Sequence, residues 1–155
     1  MEKRNDVVQL IAELVTRLDA REKQLVLGLL KRDGIPISAF HSTLSGLEIV
    51  VRYAKDVEKK SFKEIASLLN RKLPTIYTTY THAKKKFPQP LDLSNSSIRI
   101  PVDIFSDRRY AVLELIVAYL KENEKLSLKQ IAAALHKHYN TISTTYRRYK
   151  ARGAP

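Results

Sequence analysis

Apolar residues fall at three- and four-residue steps along most of this chain, the spacing of one face of a helix. Leu47, Val50, Val51, Ala54 and Val57 make one such stripe. Ser61 then precedes FKEI, with Glu64 three positions on. That is a capping-box pattern, and it starts a second helix with Phe62, Ile65, Ala66 and Leu69 on its apolar face. The segment Asn70-Arg71-Lys72-Leu73 breaks the period. Pro74 suits the first turn of a third helix, where its missing N–H is no loss. Along that helix Ile76, Thr79, Tyr80, Ala83 and Phe87 share the inward face.

The pattern returns. A shift of 66 residues aligns 47–86 with 113–152 without a gap, and 18 of these 40 positions are identical. TIYTTY at 75–80 matches TISTTY at 141–146. With one inserted residue the match reaches back to Ile35-Pro36 and Phe40 against Ile100-Pro101 and Phe105. Copy two is expected to hold helices at about 109–122, 128–135 and 140–151, the last facing inward with Ile142, Thr145, Tyr146 and Tyr149. Between the copies, PQPLDLSNSSIRI (88–100) combines two prolines with short polar residues and reads as an extended linker. The expected organisation is a first domain at 34–87, a linker at 88–99 and a second domain at 100–155, each with its own small core.

Residues 1–33 differ from both copies. Val7, Leu10, Ile11, Leu14, Val15 and Leu18 form an apolar stripe, and Asp19 with Glu22 is a second capping-box-like start. It leads into Leu25, Val26, Leu29 and Leu30. The spacing predicts a hairpin of helices at about 5–18 and 20–32, for packing on the first repeat or for homodimerisation. The fold class is therefore all-α: a helical hairpin, then two repeated three-helix domains.

Charge adds a direction to this frame. The chain has 28 Lys+Arg against 16 Asp+Glu, net +12. Residues 1–33 are nearly balanced, with seven basic and six acidic side chains, so almost all the excess lies in the repeats. No acidic residue follows Glu124, and none lies between Glu64 and Asp92. Segregated positive charge is the footprint of a polyanion binder, set against the blander reading of a solvated, solubilising face. Cysteine is absent, and no run of about 18 apolar residues suggests a membrane span.

The second and third helices of each copy have helix-turn-helix spacing. Small Ala66 stands where the helices cross, Asn70 four positions later suits the left-handed turn, and apolar Ile76 follows; copy two supplies Ala132, His136 and Ile142. FKEIASLLNRKLPTIYTTYTHAKKKF and LKQIAAALHKHYNTISTTYRRYKAR resemble the DNA-binding C-terminal region of sigma factors and of LuxR-type regulators. The resemblance covers about 40 residues of each copy. It implies compact helical domains whose last helix enters the major groove of double-stranded DNA. No receiver domain, autoinducer pocket or core-polymerase-binding sigma region accompanies it.

On that reading the outward residues of copy one are Thr75, Tyr77, Thr78, Thr81, His82 and Lys85. Those of copy two are Thr141, Ser143, Thr144, Arg147, Arg148 and Ala151. Arg71 and Lys72 in one turn and Lys137 in the other, with Lys84, Lys85 and Lys86 and then Lys150 and Arg152 at the helix ends, are placed for phosphate contact. Thr79, Thr145, Tyr80, Tyr146, Tyr53 and Tyr119 are expected to pack, the tyrosine hydroxyls reaching polar partners. His136 and His138 lack carboxylate or cysteine neighbours in sequence, so neither a metal nor another cofactor is expected.

Two function classes follow. The first is a double-stranded DNA-binding protein, a transcriptional regulator or sigma-like factor, cytoplasmic and nucleoid-associated, with RNA polymerase as a further partner. The second is a helical interaction module that binds the transcription machinery or an acidic partner with little direct DNA contact. An enzyme is not expected: the chain has no glycine-rich phosphate loop, no paired carboxylates in an apolar setting and no cysteine nucleophile.

Overall fold

The computed structural model of the protein describes residues 2–23, 26 and 33–153. The chain divides into two compact units, Met1–Asp33 and Gly34–Pro155. Both are helical, apart from a ladder of two strands with two residues each, so the chain is all-α. Among the described residues no helix is long and apolar enough to cross a membrane.

In the first unit α1 spans Glu2–Thr16, starting three residues earlier than predicted. Its stripe of Val7, Leu10, Ile11 and Leu14 is exposed. Asp19 and Glu22 exchange backbone-to-carboxylate hydrogen bonds of 3.0 and 2.8 Å, so the second capping box forms. Most of the helix predicted to follow, with Leu25, Leu29 and Leu30, lies outside the described residues.

The second unit holds both copies. Copy one runs β1 (Ile35–Pro36), a 3-10 turn (Ile37–His41), α2 (Gly46–Arg52) widening into a π-helical turn (Tyr53–Val57), α3 (Phe62–Leu68) and α4 (Leu73–Lys86). Copy two runs β2 (Arg99–Ile100), a 3-10 turn (Val102–Ser106), α5 (Val112–Glu122), α6 (Leu128–Leu135) and α7 (Tyr139–Ala151).

Local chemistry explains where these helices begin. Ser61 and Glu64 satisfy each other's backbone N–H groups at the start of α3, and Ser127 with Gln130 does the same for α6. Ser45 and Glu48 cap α2 in the same way, a box not read from the sequence. Positive φ angles of 53° at Asn70 and 52° at His136 turn the chain from the second helix to the third, as their residue types foretell. Lys59 and Lys125, also equivalent, adopt 59° and 57° before the second helix.

The first helix of copy one departs from the predicted uniform α-helix. Glu58 N–H donates to the Tyr53 carbonyl at 3.1 Å, five residues back, which is the π pattern. Copy two keeps an α-type bond here, Asn123 N–H to the Tyr119 carbonyl at 2.9 Å, with Glu124 N–H sharing that carbonyl at 3.3 Å, and it has Ala118 where copy one has Arg52. Arg52 is 1% exposed and donates to the carbonyls of Phe87 at 2.6 Å and Gln89 at 2.9 Å, and to Asp56. It clamps the start of the linker that follows copy one.

The expectation of two separate cores is corrected. One hydrophobic core runs through both copies. Ile35 pairs with Ile100 in the antiparallel ladder, and Ile37 N–H donates to the Ile98 carbonyl at 3.0 Å. The linker is docked rather than free: Leu91 is buried, and the buried Ser38 hydroxyl donates to the Asp92 carbonyl at 2.7 Å. The physical reason is size, because a unit of about 50 residues buries a smaller fraction of its surface than a larger domain does and is only marginally stable alone. Merging two such units enlarges the core that each shares.

Candidate nucleic-acid interface

Helix α4 lies across α2 and α3, and α7 lies across α5 and α6. Ile76, Ala83 and Ile142 are fully buried, and Thr145 is buried beside them. Tyr80 and Tyr146 are half-buried, and their hydroxyls donate to Asp56 at 2.7 Å and Glu122 at 3.2 Å, so the packing assignment of both tyrosines holds. Thr79, Thr81 and Thr145 bond back to carbonyls one turn earlier in their own helices, at 2.7–2.9 Å.

Opposite these faces lie the residues predicted to read DNA. Thr75, Tyr77, Thr78, Thr81, His82 and Lys85 are exposed on α4, and Thr141, Arg147 and Arg148 on α7. Tyr77 stands edge-on to Phe62 with ring centroids 5.4 Å apart, which restrains it while leaving it 59% exposed. Neither helix contains an acidic residue, and among the described residues no carboxylate lies within salt-bridge reach of Lys72, Lys85, Arg147 or Arg148.

Two expectations are corrected here. Ser143 and Thr144 are half-buried rather than exposed like Thr141, Arg147 and Arg148. Four of the cations at the helix ends, Lys84, Lys86, Lys150 and Arg152, have carboxylate neighbours that the sequence reading did not assign to them. Lys84 lies 3.8 Å from Asp56 and Lys150 3.9 Å from Glu122; Lys86 lies 3.1 Å from Glu48 and Arg152 3.5 Å from Glu114. The same two pairs form in each copy, so the third helix is moored to the first by matched charges. Burial would push the Glu48 carboxyl up, but the Ser45 N–H and Lys86 outweigh it and hold its pKa below the usual range. Lys84, Lys86, Lys150 and Arg152 remain partly exposed, yet each already has a carboxylate partner.

The turn before α4 gives the opposite case. Arg71, Lys72 and Arg108, with Ala66, Ser67 and Asn70, line a cleft of about 400 Å³ at the junction of the copies. Arg71 is half-buried with its Nε unpartnered; burial, and then the like charge of Arg108, lower its pKa. A cationic cleft with no carboxylate in its lining suits an anion. The corresponding turn in copy two offers exposed Lys137.

The sequence reading missed Arg108, Arg52 and the mooring carboxylates. Arg108 precedes the aligned block, and its approach to Arg71 depends on the copies packing together. The carboxylates had a visible signal, since Glu48/Glu114 and Asp56/Glu122 recur as acids at equivalent positions. Among the described residues no group of three potential metal ligands comes together. No protein-family model, curated protein or solved structure matches this chain.

Proposed function

We propose that this protein binds double-stranded DNA through α4 and α7, as a transcriptional regulator or sigma-like factor. The observation that carries this is the paired outward faces of those helices, which are free of acids and bear cations with no salt-bridge partner among the described residues: Lys85 on one, with Lys72 at its N-cap, and Arg147 and Arg148 on the other. Arg147 and Arg148 are suited to bidentate recognition of guanine edges, and Thr75, Thr78 and Thr141 to close approach. The cleft of Arg71, Lys72 and Arg108 supplies a backbone anchor. The resemblance of the two copies to sigma and LuxR-type DNA-binding regions points the same way.

Binding of a labelled duplex across a salt series tests this. The expected result is a steep loss of affinity as salt rises, with a log–log slope of several units. Replacing Arg147 and Arg148 together by Ala should weaken binding at least ten-fold. Flat salt dependence, or a double variant that binds like the parent, would instead favour an interaction module for a protein partner.

A further inference from the structure

The two copies meet through their own equivalents. Ile35 pairs with Ile100, its counterpart, in a register that sets Pro36 against Arg99. Gly46 faces Val112, its counterpart by the 66-residue shift, so closely that a Cβ on Gly46 would lie 2.8 Å from Val112 Cγ1. Off this line the contacts exchange. Asn70 of copy one reaches the Ser106 carbonyl of copy two, and the counterpart residues, His136 and His41, stack with ring centroids 3.8 Å apart.

A residue touching its own equivalent, flanked by contacts that swap under the equivalence, is the mark of a two-fold axis. A translation or an open screw sets residue i against an unlike j and has no reciprocal contact. We infer that residues 34–153 form an internal two-fold pseudodimer, and that one molecule takes a duplex site of two inverted, unequal half-sites. This rests on α4 and α7 being the reading helices.

The axis dictates the orientation. Helices related by a two-fold rotation engage one duplex only when its half-sites are inverted, as the dyads of DNA itself require, whereas directly repeated half-sites demand a translation between readers. The common core fixes the distance between the helices, so the spacing of the half-sites is fixed too. The copies' differences make the half-sites unequal. Tyr77, Thr81 and His82 on α4 correspond to Ser143, Arg147 and Arg148 on α7. The α7 half-site should hold guanines for its arginines, and the α4 half-site should not require them.

The full chain is used to select bound sequences from random duplex DNA, and the mass of the selected complex is measured. The expected outcome is an inverted pair of non-identical half-sites with one chain per duplex. Inserting three base pairs between the half-sites should cost about ten-fold or more in affinity. R147A/R148A should erase base preference in one half-site and leave the other. Directly repeated half-sites, a single half-site, indifference to spacing, or two chains on one site would each overturn the two-fold inference and leave DNA binding standing. Absence of salt-sensitive duplex binding would overturn both.

Discussion

Tyr80 donates its phenolic proton to Asp56 across 2.7 Å, joining the third helix of copy one to the end of the first. Asp56 also takes Arg52 and Lys84, so three side chains converge on one carboxylate. Tyr80→Phe should lower stability by about 1.5–3 kcal/mol, the range for a hydrogen bond to a charged acceptor. Tyr146→Phe should cost less, because its bond to Glu122 is longer at 3.2 Å and that carboxylate is more exposed. Urea unfolding of both variants checks the order, and equal midpoints would refute it.

The same tyrosines set the alkaline limit. Burial, followed by Asp56, pushes the Tyr80 hydroxyl from 10.0 up to about 12. Burial and neighbouring carboxylates also raise Tyr119, Tyr146 and Tyr149. A pKa raised by folding means stability that is whole below the unfolded value and lost as pH climbs through the folded one. Thermal midpoints should therefore hold steady up to pH 10 and fall between there and about 12. At the acid end Glu48, lowered from 4.5, works in reverse: its contribution is present above that value and fades as pH drops below it. Glu48→Gln should flatten the acid limb without touching the alkaline one, as melts across a pH series would report.

Gly34 and Gly46 both guard the junction of the copies, but with different severity. Gly34 has φ of 110°, and an added Cβ would lie 2.8 Å from the Ile100 carbonyl oxygen, a backbone atom with little room to move. Gly34→Ala should cost roughly 1–3 kcal/mol. At Gly46 the obstacle is the Val112 side chain. Gly46→Ala should therefore be milder, and adding Val112→Ala should recover part of the loss, a coupling that a double-mutant cycle in thermal unfolding measures.

Arg52→Met removes the clamp on the linker. It strands the Phe87 and Gln89 carbonyls and leaves Asp56 with fewer partners, at a cost of about 3 kcal/mol. Limited proteolysis should show new cleavage within residues 88–98. An unchanged digestion pattern would mean that Leu91 and Ser38 hold the linker without help.

Much of the fold was legible because helix periodicity and capping are local. The Ser61–Glu64 box, the Asn70 turn and the inward set of Ile76, Tyr80 and Ala83 are each decided within about ten residues. What the sequence concealed was long-range. Nothing near Ile35 says that it will pair with Ile100, and Leu91 and Ile98 look like chance apolar residues until they meet the core. The cations misled for the same reason. Counted along the chain, Lys84, Lys86, Lys150 and Arg152 lie in acid-free stretches, but their partners approach from the first helix of the copy. Arg147 and Arg148 are exposed and have no carboxylate within salt-bridge reach among the described residues.

The Ile35–Ile100 pairing joins two halves of one molecule, and that changes how their surfaces can vary. In a symmetric assembly of identical chains every substitution appears twice, so neither half can alter without the other. Here one half can change while its counterpart stays fixed, as Arg52 and Ala118 already illustrate inside the core. Association of the halves also escapes dilution: their pairing is intramolecular, so the stability of this junction should not depend on protein concentration.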